Sequence, residues 1–197
     1  MKLYEIPFST NVERVTLALA LKGLAVEHVP IDPDDRTPVI ELTGQHLVPV
    51  LVLDSGEVIA DSTAILRRID DDHPEPPLWP DDASRAAEID VFADWFNRVW
   101  KVAPNAIADG SPDNEEHWRE LREHLAVFER LLAGRPYLFG DRLNAADLLA
   151  FPFLKYAARI DPSDDERFHQ VLHDGQPLEG CPGVAAWIER IDALPRA

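Results

Sequence analysis

The sequence predicts an α/β domain followed by an all-helical one. Three observations carry this. Residues 2–31 alternate strand, helix and strand at the spacing of a βαβ unit. Residues 45–69 read as an apolar strand opened by a proline, a glycine turn, a second short strand and a capped helix. Beyond an acidic, proline-rich stretch at 70–77, which reads as linker between domains, the strand signals disappear, and apolar positions recur at helical spacing.

Residues 2–6 (KLYEI) form the first strand, and Pro7-Phe8-Ser9 the loop after it. Thr10 and Glu13 fit a capping box, in which a Thr hydroxyl caps the helix and Glu three residues on reaches back. Val12, Val15 and Leu19, with Ala18 beside them, make one helical face, and Gly23 ends the helix. Residues 26–31 (VEHVPI) form a second strand, parallel to the first. Residues 32–37 are a polar turn, and 39–42 a short helix. Residues 48–53 (VPVLVL) form a strand in which Pro49 has no N–H to donate, so it must sit at the strand's first residue or on an edge. Residues 54–57 (DSGE) make a tight turn with Gly56 free to take positive φ, and 57–60 return as an antiparallel strand. Asp61 is a natural N-cap for a helix whose apolar face is Ala64, Ile65, Leu66 and Ile69.

The second half is helical. Residues 83–101 carry Trp95, Phe96 and Trp100; Trp118, Leu121, Leu125, Phe128 and Leu132 stripe a second helix; Val184, Trp187, Ile188 and Ile191 stripe the last. Asn144 is an N-cap, and Leu143 and Leu148 occupy the positions of a hydrophobic staple. Pro152 inside that helix should bend it or remove a hydrogen bond. Residues 161–166 form an acidic loop. The expected domains are 1–75 and 83–197, joined by a linker at 76–82 that Leu78-Trp79-Pro80 docks onto the body.

Composition narrows the function. Of 197 residues, 46% are hydrophobic and 28% charged, enough for a core. The net charge is -17, with 6 basic against 14 acidic residues up to Glu75 and 13 against 22 beyond. Both halves are acidic, which argues against nucleic acid or an anionic membrane as partner. Cys181 is the only cysteine, so there is no intrachain disulfide and no cysteine metal cluster. His169 and His173 could share a helix face, but a pair without a third ligand is weak ground for a metal, and no metal is expected. No apolar run reaches a membrane span and no secretory core opens the chain, so the expectation is a soluble cytoplasmic protein.

The string at 45–69, QHLVPVLVLDSGEVIADSTAILRRI, resembles the second half of a thioredoxin-like domain in the glutathione S-transferase superfamily, and YEIPFSTNVERVTLALALKGL resembles the start of its serine-type theta and zeta classes. GRPYLFGDRLNAADLLAFPFL is similar to the helix-start motif of the same family's C-terminal domain, with Asn144 in place of Ser or Thr and Asp147 kept for folding. The resemblance implies a thioredoxin-like N-terminal domain, an all-helical C-terminal domain, a homodimer, and glutathione as co-substrate. It implies Ser9 as the catalytic hydroxyl, with Thr10 as the alternative. Asn11 stands where zeta-like proteins often have Cys. Val48-Pro49, with a cis bond, would offer free backbone groups to the thiol peptide, and the start of the helix at Asp61 and Ser62 would receive its carboxylate. Leu47 departs from the family's Gln or Lys, and His46 is the neighbour that could serve instead. Phe8 and Trp100 are the aromatics expected at a pocket for a small apolar electrophile. The implied chemistry is thiol transfer, in a detoxifying transferase. The alternatives are a zeta-like glutathione-dependent cis–trans isomerase, or a non-catalytic thiol-binding or scaffold protein, for which Leu47 argues and Ser9 and Ser62 do not.

Overall fold

A computed structural model describes residues 1–111 and 114–197, which fall into two compact units: residues 1–78 with 194–197, and residues 79–193.

The first unit is built on a four-stranded sheet. Strands β1 (Lys2–Glu5), β2 (Glu27–Pro30), β3 (Val50–Val52) and β4 (Val58–Ala60) lie in the order β2-β1-β3-β4. β1 pairs parallel with β2, while β1–β3 and β3–β4 are antiparallel. The parallel pair needs a crossover, which α1 (Thr10–Leu21) provides; α2 (Thr37–Thr43) and α3 (Ser62–Asp72) complete the unit. Leu3, Val15, Leu19, Leu51, Ile65 and Leu66 are fully buried, so one face each of α1 and α3 closes the core. The β3–β4 turn closes through Gly56 N–H to Leu53 C=O at 2.9 Å, with Gly56 at φ 86°.

Two sequence readings are corrected here. The cap of α1 is Ser9, one residue before the expected Thr10–Glu13 box, and the Glu13 carboxylate instead pairs with Arg196 at 2.9 Å. The acidic run at 70–72 is not linker but the last turn of α3. Carboxylates are disfavoured at a helix C-terminus, and basic side chains offset them. Arg68 bonds Asp72 at 2.7 Å, and the buried Lys22 ammonium bonds Asp70 at 2.6 Å. Lys22 also donates to the carbonyls of His73 and Pro76, so one side chain ties the exit of α3 to the end of α1.

The second unit is helical: α4 (Ala83–Trp95), α5 (Val102–Ala108), α6 (Asn114–Leu131), α7 (Ala145–Leu154), α8 (Arg167–Gly175) and α9 (Pro182–Asp192). The single helix expected over 83–101 is broken by a π-helical turn, Phe96–Trp100. Pro104 supplies a reason: it cannot donate to the Trp100 carbonyl, and its ring crowds that turn. Phe96 and Trp100 stack there with centroids 4.5 Å apart, and both meet Phe153 edge-on. In α7, Asn144 caps and Asp147 reaches back, forming a complete capping box. Pro152 is accommodated inside α7, and a short 3-10 turn, Lys155–Ala157, follows. The loop at 161–166 is less exposed than its charge suggests, since Asp164 is buried against His169 Nδ1 at 2.8 Å and Tyr156 Oη at 3.0 Å. No described helix is long and apolar enough to cross a membrane.

Candidate functional site

The sheet topology gathers three loops at one end of the first unit. β1 leads into Ile6–Ser9 just where β3 begins, since Tyr4 pairs with Val50. β4 ends at Ala60, which also pairs with Val50. The loop before α1, the Val48-Pro49 step and the start of α3 therefore share one edge of the sheet. Val48 and Ile6 pack against the same buried cluster of Ile31, Val39 and Val50.

Each loop presents a different chemistry. Phe8 takes the left-handed region at φ 59° and is 39% exposed, and Ser9 follows as the cap of α1. The Ser9 Oγ accepts from the Val12 N–H at a long 3.4 Å. A hydroxyl that accepts through a lone pair keeps its own proton for another partner. Ser9 is half-buried, whereas Thr10, its alternative, is only 5% exposed. Accessibility thus favours Ser9. Asn11, in the same turn, is half-buried.

The Val48–Pro49 bond is cis, as expected from the resemblance. Pro49 is buried just ahead of β3, outside the ladder, so its missing donor costs the sheet nothing. Val48 is half-buried and lies beyond the last β1–β3 pair. His46 and Leu47 are exposed, Leu47 by 62%, and the Leu47 N–H is taken by the Gln45 side chain at 2.6 Å.

Asp61 begins α3 with φ 87°, a conformation rare outside glycine, and its carboxylate accepts from the Ala64 N–H at 2.9 Å. Ser62 is 4% exposed, and its Oγ accepts from Arg14 Nη1 at 3.1 Å. Arg14, 1% exposed, was missed in the sequence. Its guanidinium is pushed down to about 9 by burial, with Asp61 pulling it back up. It stays cationic at neutral pH, beneath two helix N-termini. The readable signal was a charge between the buried positions Val12 and Val15 of α1.

Trp100 belongs elsewhere. At 1% exposed and stacked on Phe96, it is core of the helical unit, so its place as a pocket aromatic is withdrawn. His169 and His173 do share α8, but His169 bonds Asp164 and His173 Nδ1 meets the Tyr156 carbonyl at 2.8 Å. Among the described residues no group of three or more His, Cys, Asp or Glu could hold a metal. The Cys181 thiol is pushed up by burial and then by Glu129, the opposite of an activated nucleophile.

Family models for the glutathione S-transferase N-terminal domain and C-terminal domain match residues 3–77 and 93–190. Glutathione S-transferase Z2 of Arabidopsis thaliana is 40% identical over 99% of this chain and 87% of its own length. The chain belongs to the glutathione S-transferase family. Maleylacetoacetate isomerase of Pseudomonas aeruginosa is 33% identical over 81% of this chain and 82% of its own. A Tau class glutathione S-transferase from mango superposes with a TM-score of 0.82 over 98% of this chain and 89% of that one, at 20% identity, a likeness of fold. The four-stranded mixed sheet followed by a helical unit is the glutathione S-transferase fold, with the thioredoxin-like half first.

Proposed function

We propose that the protein binds glutathione at the sheet edge described above and activates its thiol for attack on a small apolar electrophile. The observation that carries this reading is Ser9: an accessible hydroxyl at the start of α1 that caps its helix weakly and retains a proton to donate. A thiol with pKa near 8.5 is mostly protonated at neutral pH. A donor to the developing thiolate favours the charged form, and the dipole of α1 adds to it. The peptide itself would lie along Val48-Pro49, with its carboxylate at the Asp61–Ser62 start of α3, and Asn11 and His46 at its margins. Phe8, partly exposed beside Ser9, is the aromatic that would meet the electrophile. No step calls for a metal.

A second reading is a zeta-like cis–trans isomerase, which uses the same thiol without consuming it. The relative from Pseudomonas aeruginosa that is named maleylacetoacetate isomerase favours it. Either reading carries a cytoplasmic homodimer, which light scattering of the purified protein addresses.

Retention on immobilised glutathione, followed by conjugation of a chloronitrobenzene and by isomerisation of maleylacetoacetate, tests both. Conjugation alone supports the transferase, and isomerisation supports the second reading. Retention without either activity leaves a thiol-binding protein, and failure to bind glutathione at all contradicts the proposal.

A further inference from the structure

We propose that Arg14 is a positioning residue for the thiol peptide, holding the Ser62 hydroxyl so that its proton faces the peptide's carboxylate. The role rests on the reading of Ser62 as a glutathione contact. Arg14 Nη1 donates to Ser62 Oγ at 3.1 Å, in a buried bond between residues 48 apart in sequence. A guanidinium only donates, so the serine oxygen is the acceptor and one of its lone pairs is occupied. The Ser62 proton is thereby turned away from Arg14. A serine in the first turn of a helix that lacked this constraint would be free to rotate between donor and acceptor roles. Here it is set as a donor, beside the N–H groups that open α3.

The energetics point the same way. A buried guanidinium is costly, and at 1% exposure Arg14 occupies a position of α1 as buried as its neighbours Val12 and Val15. Its charge is offset in part by Asp61, the cap of α3. One side chain therefore links the helix that carries Ser9 to the helix start that carries Asp61 and Ser62. Both helix N-termini favour an anion, and the cation beneath them reinforces that preference in a chain whose net charge is -17.

Calorimetry with S-methylglutathione tests this, because that probe keeps the peptide and lacks the free thiol. Arg14→Met and Ser62→Ala should each weaken binding by roughly ten-fold, and the double variant should bind no worse than the weaker single one, since both remove the same interaction. The Arg14→Met loss should fall on KM for glutathione rather than on kcat. Arg14→Lys, which keeps the charge and one donor, should recover part of the affinity. Losses that multiply in the double variant, or wild-type affinity in Arg14→Met, overturn the role. If Arg14→Met does not fold, Arg14→Lys decides by the same cycle: its loss should vanish in the Ser62→Ala background, and an undiminished loss there overturns the role. Wild-type protein that ignores S-methylglutathione removes the glutathione reading and Arg14's role together, whereas binding that is indifferent to Arg14 removes only the latter.

Discussion

Helices α1 and α7 both begin with a side-chain cap, and they do it differently. At α7 the Asn144 amide oxygen accepts from the Ala146 N–H at 2.9 Å, and Asp147 accepts from Leu138 N–H, Asn144 N–H and the Trp187 indole at 2.8–2.9 Å. Asn144 is 8% exposed and Asp147 fully buried. At α1 the Ser9 cap is 3.4 Å long and half exposed, preceded by a residue in the left-handed region. The first start is sealed by hydrogen bonds that all serve the fold. The second spends little of its hydroxyl on the fold. At these two helix starts the strongly engaged, buried groups serve the fold, and the under-used, more accessible hydroxyl is the one left for a ligand.

Breaking the sealed start should have the largest effect. Asp147→Ala strands three buried N–H donors, and a loss of about 3–5 kcal/mol is expected in urea unfolding. Protein that still folds should bind glutathione as before. The open start should respond in the opposite sense. Ser9→Ala should cost only about 0.5–1 kcal/mol of stability, at the low end for a lost cap. Its turnover at neutral pH should nevertheless fall roughly ten- to hundred-fold, because a hydrogen bond to a charged group is worth about 1.5–3 kcal/mol. A stopped-flow or steady-state conjugation assay reads this. A stability loss without a rate loss would return Ser9 to the same class as Asn144.

A third effect lies at α3. Ser62→Ala should raise the Kd for glutathione roughly ten-fold while leaving kcat at saturation nearly unchanged, since the carboxylate contact is the same in ground and transition states. A fourth effect is a slope with pH. Burial pushes the Asp147 carboxyl up to about 7, against the N–H donors of Leu138, Trp187 and Asn144, which pull it down. The unfolded carboxyl ionises near pH 4. Between these values the folded protein holds the extra proton. Stability from this group is therefore fully present below about pH 4 and is lost as pH rises through about 7. Unfolding curves of wild type and Asp147→Asn across that window should differ by this falling component; parallel curves would contradict it.

Much of the fold was legible because its signals are local. A proline opening an apolar strand, Gly56 in a four-residue turn and Asp61 ahead of an apolar helix face each act within a few residues. So does the Asn144–Asp147 box. What was misread depends on distant partners. Glu13 looked like half of a capping box because Arg196, its partner, lies 183 residues away. The acids at 70–72 looked like linker because Lys22 and Arg68 are needed to make them helical. Arg14 gained its meaning from Ser62, 48 residues on. Trp100 was ambiguous in sequence, since an aromatic at helical spacing serves a core or a pocket equally, and only its stack on Phe96 decides. Pro104 was a local signal overlooked.

The contrast between the two helix starts is tested most directly by titrating the bound thiol. Thiolate absorbance of glutathione is followed against pH on wild type, Ser9→Ala and Thr10→Ala. If the Ser9 hydroxyl donates to the thiolate, Ser9→Ala should raise the thiol's apparent pKa by about one to two units, at 1.36 kcal/mol per unit. Thr10→Ala should leave it in place, and glutathione affinity should change much less than the pKa. A shift in Thr10→Ala alone would transfer the role to the more buried hydroxyl, and no shift in either variant would contradict a catalytic hydroxyl at the start of α1.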